Sequence, residues 1–494
     1  MKKVAENDLT VERTATCTST LSTKQSDART DAFLDVFSNE LERKSHKICL
    51  ISSGMIEKNI RLQPWRYLHE TAQQLIQQGH HVTVLSDGNN AENRSKDFDE
   101  DIVAGLPIQR LPSVGRSRIY FPRLIGGRRG SNKALTKAIE TINPDIILWH
   151  VGITSFLHQQ IGGWPDVPVI GVLTSPMYEL ADLWRMGVRK IIKNRDLSAM
   201  HVAGTLLPRK IITSVLNSGK LEKVVVQTQT MHKQLLVLGV HQSRIAVIAP
   251  GVDKEWFRTV PDSASGSASG SEPDSSHALR CPKIDESRKT LGYGFADKVI
   301  LYYGSPAPLR GLHTLIRATE IAHEQDKSIR LLVLSRRHAD QLMSEDEELR
   351  ALLSRSDIQA YTQIVDGFLE PETLVEFVAT ADIVALPFEL VPSDAPLSLL
   401  ESKALGKPIV TTNLACLPEL AAGGTHYIAE PSDAVSLAQA LLQAVADLPA
   451  SRTEDERSHT GSQQLASSAV TEHETPLRRW GKVGEEWSHL IQTL

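Results

Sequence analysis

Two segments in the second half of the chain combine the residue types that bind phosphates and sugars. The first is residues 393–401 (SDAPLSLLE), where small and polar residues lead from a predicted strand into a predicted helix. Backbone N–H groups at the start of a helix attract anions, including phosphates. Glu401 lies about one turn into that helix, where its carboxylate could accept hydrogen bonds from the vicinal hydroxyls of a ribose. On residue type alone, an exposed helix carboxylate is the simpler interpretation.

The second segment is residues 303–311 (YGSPAPLRG), again a strand end, a loop and the start of a helix. Gly304 permits a close approach of the backbone to a ligand, and the Arg310 guanidinium offers a fork for phosphate oxygens. The segment has neither the GxGxxG spacing of dinucleotide-binding loops nor the GxxxxGK[ST] of a P-loop. In isolation it is equally typical of a capped loop with a solvated arginine.

The elements that must position these segments alternate between strands and helices, which predicts an α/β fold. Short apolar runs rich in β-formers predict first-half strands at residues 47–52, 82–86, 108–111, 146–150, 169–174, 223–228 and 245–249. Similar runs predict second-half strands at residues 298–303, 330–334, 364–366, 383–387 and 408–411. Strand–helix–strand order indicates parallel sheets with right-handed crossovers, and ligands bind beyond the carboxyl ends of such strands.

Changes in composition divide the chain of 494 residues into six segments. We predict a disordered arm at 1–45, an acceptor domain at 46–257, a flexible insertion at 258–297 and a donor domain at 298–448. A disordered segment at 449–475 and a C-terminal helix at 476–494 follow. Trp480 and Trp487 are seven residues apart on one face of that helix, which predicts packing against a domain rather than a ligand role.

The charge and cysteine content exclude several classes of function. The net charge of −5 is small for this length and gives no reason to expect nucleic acid as a partner. The four cysteines form no CxxC pair, so neither a zinc site nor a disulfide framework is indicated, and a cytoplasmic location is expected. The sequence has no apolar run long enough to span a membrane, and its N-terminus lacks the apolar core of a secretory signal.

The order of the motifs resembles that of the retaining glycosyltransferases of family 4. These enzymes have the GT-B fold, in which two Rossmann-like doubly wound domains face a central cleft. The resemblance is carried by Gly304-Ser305, Arg310-Gly311, residues 366–369 (DGFL), 393–401 and 404–410 (ALGKPIV), and 417–420 (LPEL). Residues 223–257, with VVVQTQTMHKQL and VIAPGVDKEWF, resemble the family's interdomain region. The resemblance covers most of residues 47–445.

The resemblance implies a role for each matching donor-site residue. Arg310 matches the phosphate-binding lysine of the family, and Glu401 matches the glutamate that holds the ribose. The remaining matches are the diphosphate-binding turn (Ala395, Pro396 and Leu397) and the loop beside the nucleobase (Gly367 and Phe368). The implied reaction transfers a sugar from a nucleotide diphosphate sugar with retained configuration and without a metal. No cofactor is expected, since the nucleotide sugar is a substrate.

The donor site departs from the family pattern at two positions. Ser305 replaces a phosphate-binding arginine, and Ser393 replaces the glutamate that contacts the donor sugar. Either the adjacent Asp394 takes that role, or Glu389 reaches in, or the site accepts a different sugar, or the enzyme is weak or inactive. We include Asp394 among the candidate catalytic residues, and Gly304, Ser305 and Ser393 among the donor-binding ones.

A histidine of the catalytic site in some relatives corresponds to Thr174 here. His150, at the end of a predicted strand, is the nearest histidine that could face the cleft, and it is the second candidate catalytic residue. A histidine at a strand end is more often structural. The loop at 59–65 (NIRLQPW) follows the first strand, so we expect Arg61 and Gln63 to contact the acceptor. Arg61 could hold a phosphate or carboxylate of that acceptor, or lie in solvent.

Two basic stretches with apolar neighbours, residues 116–129 and 184–193, are typical of docking on an anionic membrane surface, where lipid-linked acceptors reside. A solvated basic face around a loop is the alternative. The sequence leaves open two other functions: a catalytically silent GT-B subunit that partners another glycosyltransferase, and an inverting GT-B transferase or sugar-nucleotide epimerase. It names neither the sugar, the base nor the carbohydrate or lipid-linked acceptor.

Overall fold

The structure is a computed structural model, and it describes fourteen stretches of the chain. These are residues 44–52, 54–57, 59–87, 100–111, 129–150, 166–186, 205, 208–219, 221–257, 286–305, 308–335, 347–367, 369–448 and 476–494. The chain divides into two compact units, residues 1–45 and 46–494, and the second contains both sheets. The predicted arm up to residue 43, residues 258–285 of the predicted insertion, and the segment 449–475 lie outside the described residues.

The first half contains a sheet of eight strands in the order β3-β4-β2-β1-β5-β6-β7-β8. All neighbours pair in parallel except β3 and β4, which form an antiparallel hairpin. The strands are β1 (Lys47–Ile51), β2 (His81–Asp87), β3 (Glu100–Val103), β4 (Leu106–Leu111), β5 (Ile146–His150), β6 (Val169–Val172), β7 (Leu221–Val226) and β8 (Ile245–Val247).

Helices cover both faces of this sheet. They include α1 (Trp65–Gln77), α2 (Arg129–Ile142), α3 (Leu180–Met186), α4 (Arg209–Leu216) and α5 (Gln229–Val237). Side chains alternate across β1: Ile48 and Leu50 pack in the core with α1, whereas Cys49 and Ile51 pack in the core with α2, α4 and α5. Burial on both sides explains why β1 is a continuous apolar run.

The second half contains a parallel sheet of six strands in the order β11-β10-β9-β12-β13-β14. Its strands are β9 (Lys298–Gly304), β10 (Ile329–Ser335), β11 (Thr362–Asp366), β12 (Ile383–Leu386), β13 (Ile409–Thr412) and β14 (His426–Ala429). Its helices include α6 (Leu312–Gln325), α7 (Glu347–Leu353), α8 (Ser356–Gln359), α9 (Pro371–Thr380), α10 (Leu397–Ala404), α11 (Leu417–Ala421) and α12 (Ala434–Ala446). The strand order reverses between β9 and β12, which makes their carboxyl ends the expected ligand edge.

Residues 286–297, which the composition assigned to the insertion, belong structurally to the second half. Arg288 donates hydrogen bonds to the carbonyl oxygens of Thr380 at 2.8 Å and Asp297 at 2.7 Å. Tyr293 is buried in the core beneath β9 and β12. The low-complexity run ends before these residues, so they have enough apolar and charged side chains to pack.

The C-terminal helix α13 (Trp480–Gln492) follows the second half in sequence but packs on α1 of the first. The Trp487 indole donates to the Tyr67 hydroxyl at 3.1 Å, and Tyr67 in turn donates to the carbonyl of Ile248. A side chain at Gly484 would meet Gln74 at 2.6 Å, so the two helices approach closely. The chain therefore crosses between the two halves a second time.

Candidate functional site

A cleft opens at the carboxyl ends of β9, β10 and β11, on the edge of the sheet where a ligand is expected. Its empty volume is about 860 Å³, counting the part that is open to solvent. One side of the cleft is lined by Arg61, Arg66, Asp253, Trp256 and Trp480. On the other side are Tyr303, Gly304, Leu334, Ser335, Gly367, Leu369, Leu374, Leu397 and Glu401. The structure thus brings four predicted donor-site residues to one cavity: Gly304, Gly367, Leu397 and Glu401.

Arg310, at the end of the short turn Pro308–Arg310 before α6, is not among the residues that line the cleft but lies against Gly304, which does line it. Arg310 Nη1 would be 2.9 Å from a β-carbon at Gly304, and Gly304 has φ of +133°, a backbone conformation that residues with side chains rarely adopt. The guanidinium carbon also stacks 5.5 Å from the ring centroid of Phe388. The next residue, Gly311, has φ of +72°, and a β-carbon there would lie 1.8 Å from the carbonyl oxygen of Pro387. The loop that carries Arg310 is therefore packed closely against the backbone of Pro387.

Glu401 reaches the cleft from the second turn of α10. The Tyr303 hydroxyl donates to its Oε2 at 3.3 Å, and the same hydroxyl bonds Ser402 Oγ at 3.1 Å. Tyr303 itself is buried and stacks on Trp256, with ring centroids 6.3 Å apart. The Glu401 carboxylate thus lies beside a buried aromatic side chain on the wall of the cleft, where it could accept hydrogen bonds from the hydroxyls of a ribose.

The turn before α10 lies between the two halves of the molecule. Ala395 is buried, and its carbonyl oxygen accepts a hydrogen bond from Gln63 Nε2 at 3.3 Å. Pro396 precedes the first residue of α10, Leu397, and no side chain caps the helix. Ser393 is buried and absent from the described cleft wall. Among the described residues, the start of α10 thus lacks a side-chain cap, and its first residue, Leu397, lines the cleft.

The structure places Asp394 away from the cleft wall. Its Oδ2 accepts from the backbone N–H of Gln227 at 2.7 Å, and its Oδ1 accepts from Thr228 Oγ1 at 2.7 Å. Its own N–H donates to the carbonyl of Thr174 at 2.6 Å. Burial raises the pKa of Asp394 to about 7, helped by the nearby Glu419 and opposed by these hydrogen bonds. The carboxylate is occupied by the first half of the molecule, not directed at a donor sugar.

Glu389, the other carboxylate considered for the sugar contact, is also buried outside the described cleft wall. Its Oε1 accepts from Thr314 Oγ1 of α6 at 2.7 Å. The backbone N–H of Glu389 donates to the carbonyl of Leu309 at 2.9 Å. Glu389 thus connects the segment after β12 to the loop that carries Arg310. This position is typical of a residue that supports the site rather than one that contacts the sugar.

His150 is held between two strand ends of the first sheet. Its Nδ1 lies 3.0 Å from Ser52 Oγ, and its Nε2 lies 2.9 Å from Thr174 Oγ1. Burial lowers its pKa to about 4, so the imidazole is neutral at neutral pH. One ring nitrogen donates and the other accepts, in an order set by the tautomer. The structure therefore links His150 to Thr174 and, through its carbonyl, to Asp394.

The two predicted acceptor residues lie at the junction of the halves. Arg61 lines the cleft, and its Nη2 is 3.7 Å from Glu370 Oε2 at the start of α9; both side chains are largely exposed. Gln63 donates to the donor turn, while its Oε1 is buried and has no hydrogen-bond partner among the residues that the structure describes. Arg61 thus lies on the wall of the cleft beside Glu370, whereas Gln63 contacts the donor turn.

Several residues of the cleft wall were not predicted as site residues, among them Arg66, Asp253 and Trp480. Arg66 Nη2 forms hydrogen bonds of 2.8 and 3.0 Å to the Asp253 carboxylate, and the Trp480 indole donates to Asp253 at 2.9 Å. Asp253 lies within the VIAPGVDKEWF stretch, so its motif was visible, but its partners are far away in sequence. Trp480 was assigned to packing alone because helical spacing does not show that the helix reaches the cleft.

Three further findings concern the described part of the chain. Phe368, predicted beside the nucleobase, lies outside it, whereas Ser305 is described and its carbonyl accepts from the Tyr302 hydroxyl at 2.7 Å. Across the described stretches, no helix is long and apolar enough to cross a membrane. Within those same stretches, no three His, Cys, Asp or Glu side chains cluster as metal ligands would.

Comparison with known proteins identifies both halves. Residues 65–256 match the family model described as Glycosyltransferase Family 4, and residues 297–447 match the model described as Glycosyl transferases group 1. The chain is 29% identical over 213 residues to a D-inositol 3-phosphate glycosyltransferase of Corynebacterium urealyticum, covering 42% of this chain and 44% of that protein. The match therefore spans less than half of that relative's length. The enzyme of the same description from Corynebacterium glutamicum is 21% identical over 369 residues, covering 72% of this chain and 77% of that protein.

Solved structures show the same fold at low sequence identity. Sucrose-phosphate synthase from Thermosynechococcus elongatus superposes with a TM-score of 0.62 at 16% identity, covering 91% of this chain and 99% of that one. The Anabaena protein HepE, solved in complex with UDP-glucose, gives a TM-score of 0.56 at 12% identity, covering 91% and 100%. These likenesses confirm the predicted GT-B fold of two Rossmann-like domains. The two family matches, in their expected order along the chain, show that it belongs to the glycosyltransferases of family 4.

Proposed function

We propose that this chain moves a sugar from a nucleotide diphosphate sugar to an acceptor with retention of configuration. The observation that carries the proposal is the meeting of Glu401, Gly304 and the start of α10 at one cleft, with Arg310 against Gly304. That arrangement offers a ribose ligand, a close backbone approach and a cation at the edge where the strand order reverses. The relatives named as glycosyltransferases support the same class of reaction.

The chemistry assigned to these residues is electrostatic. The leaving diphosphate gains negative charge as the glycosidic bond breaks, and the Arg310 guanidinium together with the amides near Ala395–Leu397 would stabilise that charge. We propose that these groups act without a metal ion. Retention in this proposal requires no covalent protein nucleophile, and the buried Asp394 carboxylate is occupied by hydrogen bonds to the first half.

We propose further that the acceptor carries an acidic group. Arg61 lies at the mouth of the cleft, and about half of its side chain is exposed. Its ion pair with the exposed Glu370 is long, at 3.7 Å. Such an arginine can exchange a surface carboxylate for a bidentate contact to a substrate phosphate. The name of these relatives, D-inositol 3-phosphate glycosyltransferase, is consistent with an acceptor of this charge.

We also propose that the protein is cytoplasmic and docks on an anionic membrane surface through α3. Leu180 is 64% exposed and Trp184 is 87% exposed on this short helix. Four basic residues follow Trp184 in the sequence: Arg185, Arg189, Lys190 and Lys193. Aromatic and apolar side chains beside basic ones are typical of an interfacial segment, and a lipid-linked acceptor would lie at such a surface.

A nucleotide-sugar panel tests the donor assignment. Thermal shift is measured with UDP-, GDP- and ADP-sugars, and hydrolysis of each is followed. A bound donor at about 100 times its Kd stabilises the folded state by about 2.7 kcal/mol and raises Tm. Arg310→Ala and Glu401→Ala should each weaken binding about ten-fold or more, since each removes a contact to a charged or hydroxyl-rich group. The exposed Glu430→Ala serves as the matched control. Stabilisation that survives both site variants would contradict this site assignment.

A second candidate is a catalytically silent GT-B subunit that binds another glycosyltransferase. Ser305 and Ser393 replace charged family positions, and the position of Asp394 leaves the sugar-contacting carboxylate unfilled among the described residues of the cleft wall. The same panel separates the two. Nucleotide binding without turnover of any donor favours the silent subunit, turnover favours the enzyme, and no stabilisation by any nucleotide contradicts the enzyme.

A further inference from the structure

The N-terminus of α5, in the first half, is held by two carboxylates from the second half. Glu419 Oε1 accepts from the backbone N–H of Gln229 at 2.9 Å. Glu419 Oε2 accepts from the N–H and the hydroxyl of Thr230, both at 2.7 Å. Asp394 accepts from Gln227 and Thr228 immediately before them. Five hydrogen bonds thus join four consecutive residues of one half to two carboxylates of the other.

The location strengthens the two bonds that Glu419 accepts from the backbone N–H groups of α5. The first N–H groups of a helix have no partner within the helix, and they lie at the positive end of its dipole. Carboxylates bonded there form charge-assisted hydrogen bonds, which are stronger than neutral ones. The hydroxyl of Thr228, the residue before α5, also caps the helix by accepting from the N–H of Met231. The N–H groups of the first three residues of α5 are therefore all hydrogen-bonded.

The same contact positions the donor turn. Asp394 is bonded through its own N–H to Thr174, and the carbonyl of the next residue, Ala395, is bonded to Gln63. Three segments of the first half therefore form hydrogen bonds with two consecutive residues of the turn that leads into α10. Where that turn lies relative to the first half depends on whether Asp394 stays docked.

We propose that Asp394 and Glu419 are positioning residues that form a carboxylate clamp between the two halves, and that this clamp sets the donor turn against the acceptor side for transfer. The proposal rests on the proposed function for its catalytic consequence, but the clamp itself is measurable without any substrate. It assigns Asp394 a role different from contact with the donor sugar.

A pH dependence follows from the surroundings of Asp394. The titratable groups near it are Glu419 on α11, Cys416 before that helix, Tyr67 on α1 and, through Thr174, His150. Burial raises the pKa of the Cys416 thiol and the Tyr67 hydroxyl and lowers that of His150 to about 4, so these three are neutral near pH 7. Glu419 is the charged neighbour, and its repulsion adds to the raised pKa of Asp394.

The sign of the effect is set by proton uptake. Asp394 has a pKa of about 7 when docked and regains the ordinary 3.8 when the halves separate and water reaches it. Docking therefore takes up a proton between these pH values, so the contribution is fully present at low pH and is lost as pH rises through about 7. Asp394→Asn retains an acceptor for Gln227 and supplies a donor for Thr228 Oγ1, so it mimics the protonated form at every pH.

Hydrogen exchange of the full chain tests the clamp, read at the amides of Gln227, Gln229 and Thr230 and corrected for intrinsic pH dependence. Asp394→Ala should raise exchange about ten-fold or more at Gln229 and Thr230, although Glu419 is their direct partner. In the wild type, protection should fall as pH rises through about 7, and in Asp394→Asn it should be independent of pH. Asp433→Asn is the matched control, because Asp433 caps α12 within the second half and should change nothing at α5.

Two outcomes would overturn the proposal. In the first, Asp394→Ala affects Gln227 alone, which makes the two carboxylates independent caps. In the second, Asp394→Asn keeps the pH dependence of the wild type. Once a donor is found, Asp394→Asn should also flatten the pH profile of kcat/KM. Hydrogen exchange in Asp394→Asn could be independent of pH while the pH profile of kcat/KM remains that of the wild type. That result would retain the clamp and reject only its catalytic consequence.

Discussion

At the scale of single residues, position relative to a strand end was easier to predict than side-chain direction. Gly304, Arg310 and Glu401 were predicted from strand–loop–helix patterns, and the structure brings them to one edge of the second sheet. Asp394 was expected near the donor sugar because it adjoins Ser393. Consecutive side chains of a non-helical turn point in different directions. The Asp394 carboxylate therefore bonds Gln227 and Thr228, directly before α5, although the adjacent Ser393 occupies the family's sugar-contacting position.

Gly311 provides a sharp test at this scale. Alanine there would place its β-carbon 1.8 Å from the carbonyl oxygen of Pro387 and would adopt φ of +72°. Steric overlap adds to left-handed strain, so Gly311→Ala should lower the free energy of unfolding by about 2 kcal/mol or more. Gly406 has a similar φ of +66° but no atom within 4 Å of a built β-carbon. Gly406→Ala should therefore show only the smaller conformational cost.

Denaturant unfolding of both variants at one temperature measures the difference. Equal losses for Gly311→Ala and Gly406→Ala would contradict the tight contact between the Arg310 loop and the end of β12. Loss of donor binding in Gly311→Ala at temperatures where it is folded would further connect that contact to the position of Arg310.

At the scale of elements, buried parallel strands were the most predictable. Runs such as KICLI and KVILYY are apolar on both faces, and strands β1 and β9 begin at the predicted residues. The strands β3 and β14 were missed because each has four residues and carries polar side chains. β3 is held by an antiparallel turn with positive φ at Ala104 and Gly105, a geometry that hairpins favour but that an Ala-Gly pair only weakly signals.

The C-terminal helix gives the prediction that belongs to this scale. Trp487 is fully buried between α13 and α1 and donates to Tyr67. Trp487→Ala should lower the free energy of unfolding by about 3–5 kcal/mol, because it leaves a large cavity and removes the hydrogen bond that the Tyr67 hydroxyl accepts. Trp184→Ala removes the same side chain at an 87% exposed position and should change stability little. Thermal unfolding of both variants decides whether α13 is an integral part of the first half.

At the scale of the whole molecule, the two sheets were predictable, whereas the contacts between them were not. Periodicity reports on neighbours in sequence, but the bond between Gln63 and Ala395 joins residues 332 positions apart, and that between Thr228 and Asp394 joins residues 166 apart. No local pattern reports which surfaces will face each other. The cleft could be predicted from strand order, but the residues that close it could not.

Membrane docking is the prediction that depends on the whole surface. Leu180 and Trp184 project from α3, next to arginines and lysines in sequence. Each basic residue near an anionic surface contributes about 1 kcal/mol, and the contribution weakens with salt. The protein should therefore float with vesicles that contain phosphatidylserine, and less so at high salt or with neutral vesicles. Trp184→Ser should reduce the bound fraction several-fold, because it removes the apolar anchor.

Val237→Ser is the matched control, since Val237 is 81% exposed on α5 and has no comparable basic surroundings in sequence. It should float like the wild type. Failure to float at any salt concentration would indicate an acceptor that is free in solution. Flotation that depends on anionic lipid but is insensitive to Trp184→Ser would place the docking surface elsewhere, with residues 116–129 as the next basic stretch to change. A lipid-linked acceptor is thus supported only if binding needs both the charge of the vesicle and the exposed tryptophan.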